Sequence, residues 1–101
     1  MNEKKNNQNP RVIVIQKLYG HHLNKDSELT FPKHRYKKFI KDVVKGTIER
    51  KDLIQGLIKD KLKENINDNK TELVIKLMIM AAIYEFLYMH KTPIKVVISE
   101  Y

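Results

Sequence analysis

Residues 71–101 read TELVIKLMIMAAIYEFLYMHKTPIKVVISEY, and this stretch decides the fold. Up to His90 it contains only five polar side chains, so the helix that it predicts is apolar on nearly every side and must be surrounded by other helices. Thr92 can cap a following helix and Pro93 suits its first turn. No glycine, asparagine or second proline then ends that helix, so we expect it to be incomplete. Its apolar stripe, spaced i, i+3, i+4 and i+7, consists of Ile94, Val97, Ile98 and Tyr101.

Three further helices are predicted upstream, which makes the chain an all-α bundle of about five helices. Residues 1–9 form a polar, basic and flexible arm, and residues 10–101 form one helical domain. Asn9 and Pro10 begin the first helix, and Phe31 and Pro32 precede the second. The third helix covers about residues 51–65. Asn69 and Glu72 then form a capping box at the start of the central helix. The side chains expected inside are Val12, Ile15, Leu18 and Tyr19 or His22, then Tyr36, Phe39, Ile40, Val43, Val44 and Ile48, and finally Ile54, Leu57, Ile58 and Leu62.

The charge of the chain points to an anionic partner. Its formal net charge is +8, and residues 1–50 carry 12 Lys and Arg against 5 Asp and Glu, a balance of +7. The alternative is compositional drift, because an A·T-rich genome also favours lysine, asparagine and isoleucine. The polar N-terminus does not resemble a secretory signal, and the longest apolar run, residues 77–84, is too short to cross a bilayer. We therefore expect a soluble, cytoplasmic protein.

Residues suited to catalysis or metal binding are scarce. There is no cysteine, the three glycines are isolated, and no serine stands in a nucleophile elbow. His21 and His22 are adjacent, so on a helix they point about 100° apart and do not form a ligand pair. Glu85 in the apolar helix needs a partner, and a structural one, such as Lys95 or a backbone amide of the next helix, is favoured over a catalytic role. We predict no enzyme activity, no cofactor and no metal.

Three motifs in order carry a family resemblance. Residues 83–87 (IYEFL) followed by residues 92–100 (TPIKVVISE), together with Arg11, the segment 16–19 (QKLY) and the segment 43–46 (VVKG), resemble the NusB family of bacterial transcription antitermination factors. The resemblance covers essentially the whole chain after the arm.

The resemblance implies an RNA-binding protein. Family members bind the single-stranded boxA element of nascent ribosomal RNA, usually with the ribosomal protein NusE, and so act on the RNA polymerase elongation complex indirectly. By position Arg11 and Tyr19 look like RNA-contacting residues, and Gln16 matches the same motif. A guanidinium can reach a phosphate or base edge, and a tyrosine ring can stack on an unpaired base. Lys4 and Lys5 would add phosphate contacts.

The chain also departs from the family pattern. Its arm has asparagines and a glutamine where arginines are usual, Met80 stands at a common arginine position, and Ser99 replaces an asparagine. The family continues beyond the last helix, so we expect the apolar stripe of that helix to be exposed and to support self-association. Two alternatives stay open: a protein-interaction module without specific RNA binding, and a detached NusB-like N-terminal domain of a ribosomal RNA cytosine methyltransferase.

Overall fold

The computed structural model describes residues 8–58, 70–89 and 94–101. These residues form five α-helices: α1 (Pro10–Leu23), α2 (Lys37–Glu49), α3 (Lys51–Ile58), α4 (Lys70–Tyr88) and α5 (Ile94–Glu100). The predicted all-α fold is confirmed. The proposed caps at Asn69 and Thr92–Pro93, the predicted core residue Leu62 and the arm lysines lie outside the described residues.

The start of α1 follows the predicted chemistry. The side-chain oxygen of Asn9 accepts a hydrogen bond from the backbone N–H of Arg11 at 2.8 Å, and Pro10 occupies the first turn. Both features satisfy or remove backbone donors that a helix start leaves without an intrahelical partner. The helix ends at Leu23, where the N–H of Asn24 bonds the carbonyl of Gly20 at 3.0 Å.

Helix α4 is the centre of the bundle. It packs against α1, α2, α3 and α5, and it buries Leu77, Met80 and Ala81. The expectation of a helix surrounded by others is therefore met in part, since Ile75 in its first half is 47% exposed. Its end is less covered, since Phe86, Leu87 and Tyr88 are between 36% and 48% exposed.

The predicted inner face of α1 is partly wrong. Ile13 and Val14 are buried with Leu18, whereas Val12 is 44% exposed and Ile15 lies half-buried at the edge of the core. Four consecutive β-branched apolar residues, 12–15, offer an apolar side chain in almost every direction, so periodicity alone does not choose a face. The position of α1 against both α2 and α4 makes that choice.

The helices α2 and α3 fit the predicted pattern better, with two exceptions. Ile40, Val43, Val44, Ile54 and Ile58 are buried as expected. Tyr36, at the N-cap position of α2, is 50% exposed, and Leu57 is 53% exposed. His22 of α1 is also exposed rather than buried.

Helix α5 corrects the expectation of a fully exposed apolar stripe. Val97 is only 3% exposed, and Tyr101 packs against the core. Ile98 alone among the described stripe side chains is largely exposed, at 73%. The contact of α5 with α4 provides this cover.

Candidate functional site

A groove runs between α1 and α4 and is closed at one end by α5. We call it the α1–α4 groove; its volume is about 460 Å³, and its lining residues are Arg11, Val12, Ile15, Gln16, Tyr19, Val74, Met78, Glu100 and Tyr101. Three of the five predicted site residues, Arg11, Gln16 and Tyr19, thus share one surface. Lys4 and Lys5 lie outside the described residues. The groove is large enough for a nucleobase or for an apolar side chain.

Arg11 is fixed in this groove by Glu85 of α4. Its Nη2 and Nε both donate to the Glu85 carboxylate, the Nε bond measuring 3.1 Å. The Glu85 side chain is completely buried and that of Arg11 is 11% exposed. A two-bond arginine–carboxylate pair of this kind is stronger and more directional than a single neutral hydrogen bond.

This geometry identifies the partner of Glu85, and that partner is not the one predicted from sequence. The side chain of Lys95, one of the suggested partners, lies outside the part of the chain that the structure describes, and the described donor to the Glu85 carboxylate is Arg11 of α1. The expectation that Glu85 has a structural partner does hold. Sequence could have indicated the pair, since Arg11 is the one arginine near the apolar half of α1 and Glu85 is the one carboxylate in the apolar part of α4.

Other groups confine the guanidinium of Arg11 further. Its central carbon lies 5.1 Å from the centre of the Phe39 ring and 5.6 Å from that of Tyr101. Its third nitrogen, Nη1, is 3.8 Å from the half-exposed carboxylate of Glu100. Nη1 is therefore the guanidinium nitrogen that approaches Glu100 rather than Glu85.

The charges around Arg11 preserve its ionised state. Burial lowers the pKa of Arg11, but the hydrogen bond and the charge of Glu85, with smaller effects of Tyr101 and Glu100, leave that pKa raised. Burial also raises the pKa of the Tyr101 hydroxyl, and the negative charge of Glu85 adds to this effect. Tyr101 is consequently a neutral hydroxyl beside a buried ion pair.

Tyr19 and Gln16 form the other end of the groove wall on α1. Tyr19 is half-buried and packs against the core, so part of its ring is fixed by the protein while the rest lines the groove. Gln16 is exposed. The groove thus receives a ring, an amide and a guanidinium from α1, spaced by three and then five residues.

The walls on α4 and α5 were not predicted as part of the site. Val74 and Met78 are four residues apart on α4, so they present a short apolar strip opposite Val12 and Ile15. Sequence periodicity marked α4 as apolar all round, and nothing in it distinguished this strip from the core. The groove is therefore mostly apolar, with polar groups at its ends.

Comparison with known proteins gives one family match. The model of the NusB family matches residues 8–101. No match was found among the curated proteins or among the solved structures. Within the part of the chain that the structure describes, no helix is both long and apolar enough to cross a membrane.

Proposed function

This chain belongs to the NusB family, and from that membership we propose that it is a transcription antitermination factor that binds boxA-like single-stranded RNA together with the ribosomal protein NusE. Membership in this family indicates an RNA-binding, transcription-related role without catalysis. We further propose that the protein acts in the cytoplasm and supports ribosomal RNA transcription through the polymerase elongation complex.

The observation that carries the proposal is the shared position of Arg11, Gln16 and Tyr19 in the α1–α4 groove. Single-stranded RNA is commonly recognised by stacking its splayed bases on aromatic rings and by hydrogen bonds to their edges. We assign stacking to Tyr19 and base-edge hydrogen bonding to the amide of Gln16. Lys4 and Lys5 would contact phosphates and add salt dependence.

Arg11 has a more limited role in this proposal than its family position implies. Two of its three guanidinium nitrogens bind Glu85, so we assign the contact with RNA to the third, Nη1. Nη1 lies 3.8 Å from Glu100, and RNA would replace Glu100 as its partner. Loss of Arg11 would then affect both the RNA contact and the packing of α1 against α4. Tyr19 is the cleaner residue for a binding test.

The test is titration of fluorescently labelled boxA-like RNA and of a scrambled RNA with wild-type protein and with Tyr19→Ala. Loss of one stacked base costs about 1–3 kcal/mol, so we expect Tyr19→Ala to weaken boxA-like binding roughly tenfold. Tyr36→Ala is the matched control, since Tyr36 is half-exposed at the start of α2 and does not line the groove. Equal binding of both RNAs, or equal effects of both tyrosine changes, would refute specific recognition at this site.

A protein-interaction module is the second candidate, and the apolar floor of the groove favours it. Val12, Ile15, Val74 and Met78 line the groove, and Val12 is 44% exposed. An apolar segment of a partner protein would bury these side chains without any RNA. Val12→Asp would then abolish binding of NusE, measured by calorimetry, and leave the affinity for isolated RNA unchanged.

A further inference from the structure

A second cavity lies where α1, α2, α3 and α4 meet, and it shares no described lining residue with the α1–α4 groove. We call it the lysine cavity; the residues that matter for its chemistry are His21, Thr47, Lys51, Gln55 and Lys76. Its remaining walls are mostly apolar side chains of the core. None of these polar groups is among the residues assigned to RNA binding.

Two buried polar atoms in this cavity make no hydrogen bond within the described part of the chain. They are the hydroxyl oxygen of Thr47 and the Nδ1 atom of His21. Thr47 is 1% exposed, so its side chain is almost entirely removed from the protein surface. Since a buried hydroxyl without a partner is costly and uncommon, an atom of a ligand or of bound water has to complete this site.

Positively charged side chains also line the lysine cavity. Lys51 and Lys76 line the cavity, and neither is fully exposed. Burial lowers the pKa of Lys51, and the nearby charges of Lys25 and Lys76 lower it further, against a weaker opposing effect of Asp52. No acidic residue is among the described lining residues. The ammonium groups of Lys51 and Lys76 thus line one cavity, and the charge of Lys25 also acts on Lys51, an arrangement that an anion would stabilise.

The size of the cavity limits the ligand. Its volume is about 40 Å³. Since one water needs about 10–15 Å³ by this measure, the space holds roughly three waters or one small oxyanion, and it excludes a nucleobase. The exposed His22 lines its edge, so the cavity can be reached from solvent.

We propose that the lysine cavity binds a single phosphate group, with Thr47 and His21 as hydrogen-bond donors and Lys51 and Lys76 as charge partners. This is a second site, separate from the groove proposed for RNA bases. The phosphate comes either from the RNA backbone or from free inorganic phosphate, and the chemistry of recognition is the same for both.

The test is thermal unfolding of the full chain in increasing inorganic phosphate, against chloride at matched ionic strength. We expect a saturable rise of the melting temperature with phosphate, because a ligand that binds only the folded state stabilises it. Thr47→Val and Lys51→Met should each weaken the apparent phosphate affinity at least tenfold. Lys45→Met is the matched control, since Lys45 is exposed on α2 and does not line the cavity.

Thr47→Val also distinguishes loss of phosphate binding from loss of folding. It replaces a buried hydroxyl without a described partner by a methyl group of similar shape, so in phosphate-free buffer it should fold at least as stably as wild type. In the wild-type protein, an upward shift of the Lys51 pKa on phosphate addition, followed by NMR, is the second readout. Phosphate that stabilises no more than chloride, or cavity variants that respond like Lys45→Met, would overturn the proposal.

RNA titrations separate the two sources of phosphate. If the RNA backbone supplies it, inorganic phosphate competes with RNA, and Lys51→Met and Thr47→Val weaken RNA binding. If free phosphate is the ligand, the same variants lose phosphate binding while RNA affinity is unchanged. Tyr19→Ala should leave phosphate binding intact in both cases, so failure of the groove proposal and failure of the cavity proposal give different results.

Discussion

Arg11 and Glu85 are 74 positions apart in the sequence, and their ion pair joins the start of α1 to the end of α4. Moving either charge out of water is unfavourable, and the two hydrogen bonds compensate only while both partners are present. The pair therefore specifies how α1 sits on α4 more than it adds net stability. The same placement leaves Nη1 of Arg11 near the carboxylate of Glu100, which also lines the groove.

Removing the carboxylate alone should be strongly destabilising. Glu85→Gln leaves the largely buried guanidinium with only the half-exposed Glu100 carboxylate, 3.8 Å from Nη1, as counter-charge. We expect the free energy of unfolding to fall by about 3 kcal/mol in urea titrations. The control is Glu49→Gln: Glu49 is 71% exposed and its oxygen is 3.9 Å from Arg50, so the change should stay within about 0.5 kcal/mol. Similar losses for both variants would show that the buried pair has no special role.

Replacing Gly46 and Gly56 by alanine should change the free energy of unfolding in opposite directions. Alanine normally stabilises a helix relative to glycine by about 1 kcal/mol, and the space around Gly56 is open. At Gly46 an added Cβ would overlap the ring of Tyr84, which is confined by stacking on Tyr88 at 5.2 Å and by Arg50 at 5.7 Å. We expect Gly46→Ala to lower the free energy of unfolding by roughly 1–2 kcal/mol. We expect Gly56→Ala to raise it by roughly 0.5–1 kcal/mol. A stabilising Gly46→Ala would contradict this packing.

At the scale of the helices, the parts that could be predicted are those with local causes. Asn9 and Pro10 set the start of α1 through atoms within three residues, and the sequence therefore indicates it directly. Which side of α1 is buried depends instead on where α2 and α4 lie, and residues 12–15 are apolar on too many sides to reveal it. The cover of Val97 by α4 is a tertiary contact of the same kind.

The cap of α1 can be tested on its own. Asn9→Ala removes the acceptor for the Arg11 N–H and should lower the free energy of unfolding by about 1 kcal/mol. Asn9→Asp retains an acceptor and adds a negative charge at a helix start, so its stability should equal or slightly exceed that of wild type. Chemical denaturation followed by circular dichroism distinguishes the two. An alanine variant as stable as the aspartate variant would mean that the hydrogen bond contributes nothing.

For the whole molecule, the candidate site was predictable on one side only. Arg11, Gln16 and Tyr19 line one groove, and the family motif groups them; helical geometry places Tyr19 near each of the other two but sets Arg11 and Gln16 about 140° apart. The opposite wall, with Val74, Met78 and Tyr101, exists only once α4 and α5 pack beside α1. The lysine cavity is lined by residues of four helices that form no contiguous motif, so the sequence alone does not indicate it.

The distribution of the +8 charge leads to a prediction for RNA binding by the whole chain. Each phosphate contact on a single strand contributes about 0.7 to the slope of log affinity against log salt. If Lys4 and Lys5 each contact one phosphate, the double change to alanine should reduce that slope by about 1.4, measured by anisotropy across a salt series. Changing Lys41 and Lys45 to alanine removes the same charge from α2, away from the groove lining, and should alter the slope less. Equal reductions for the two pairs would indicate that RNA responds to net charge alone, because a localised arm contact predicts a difference between them.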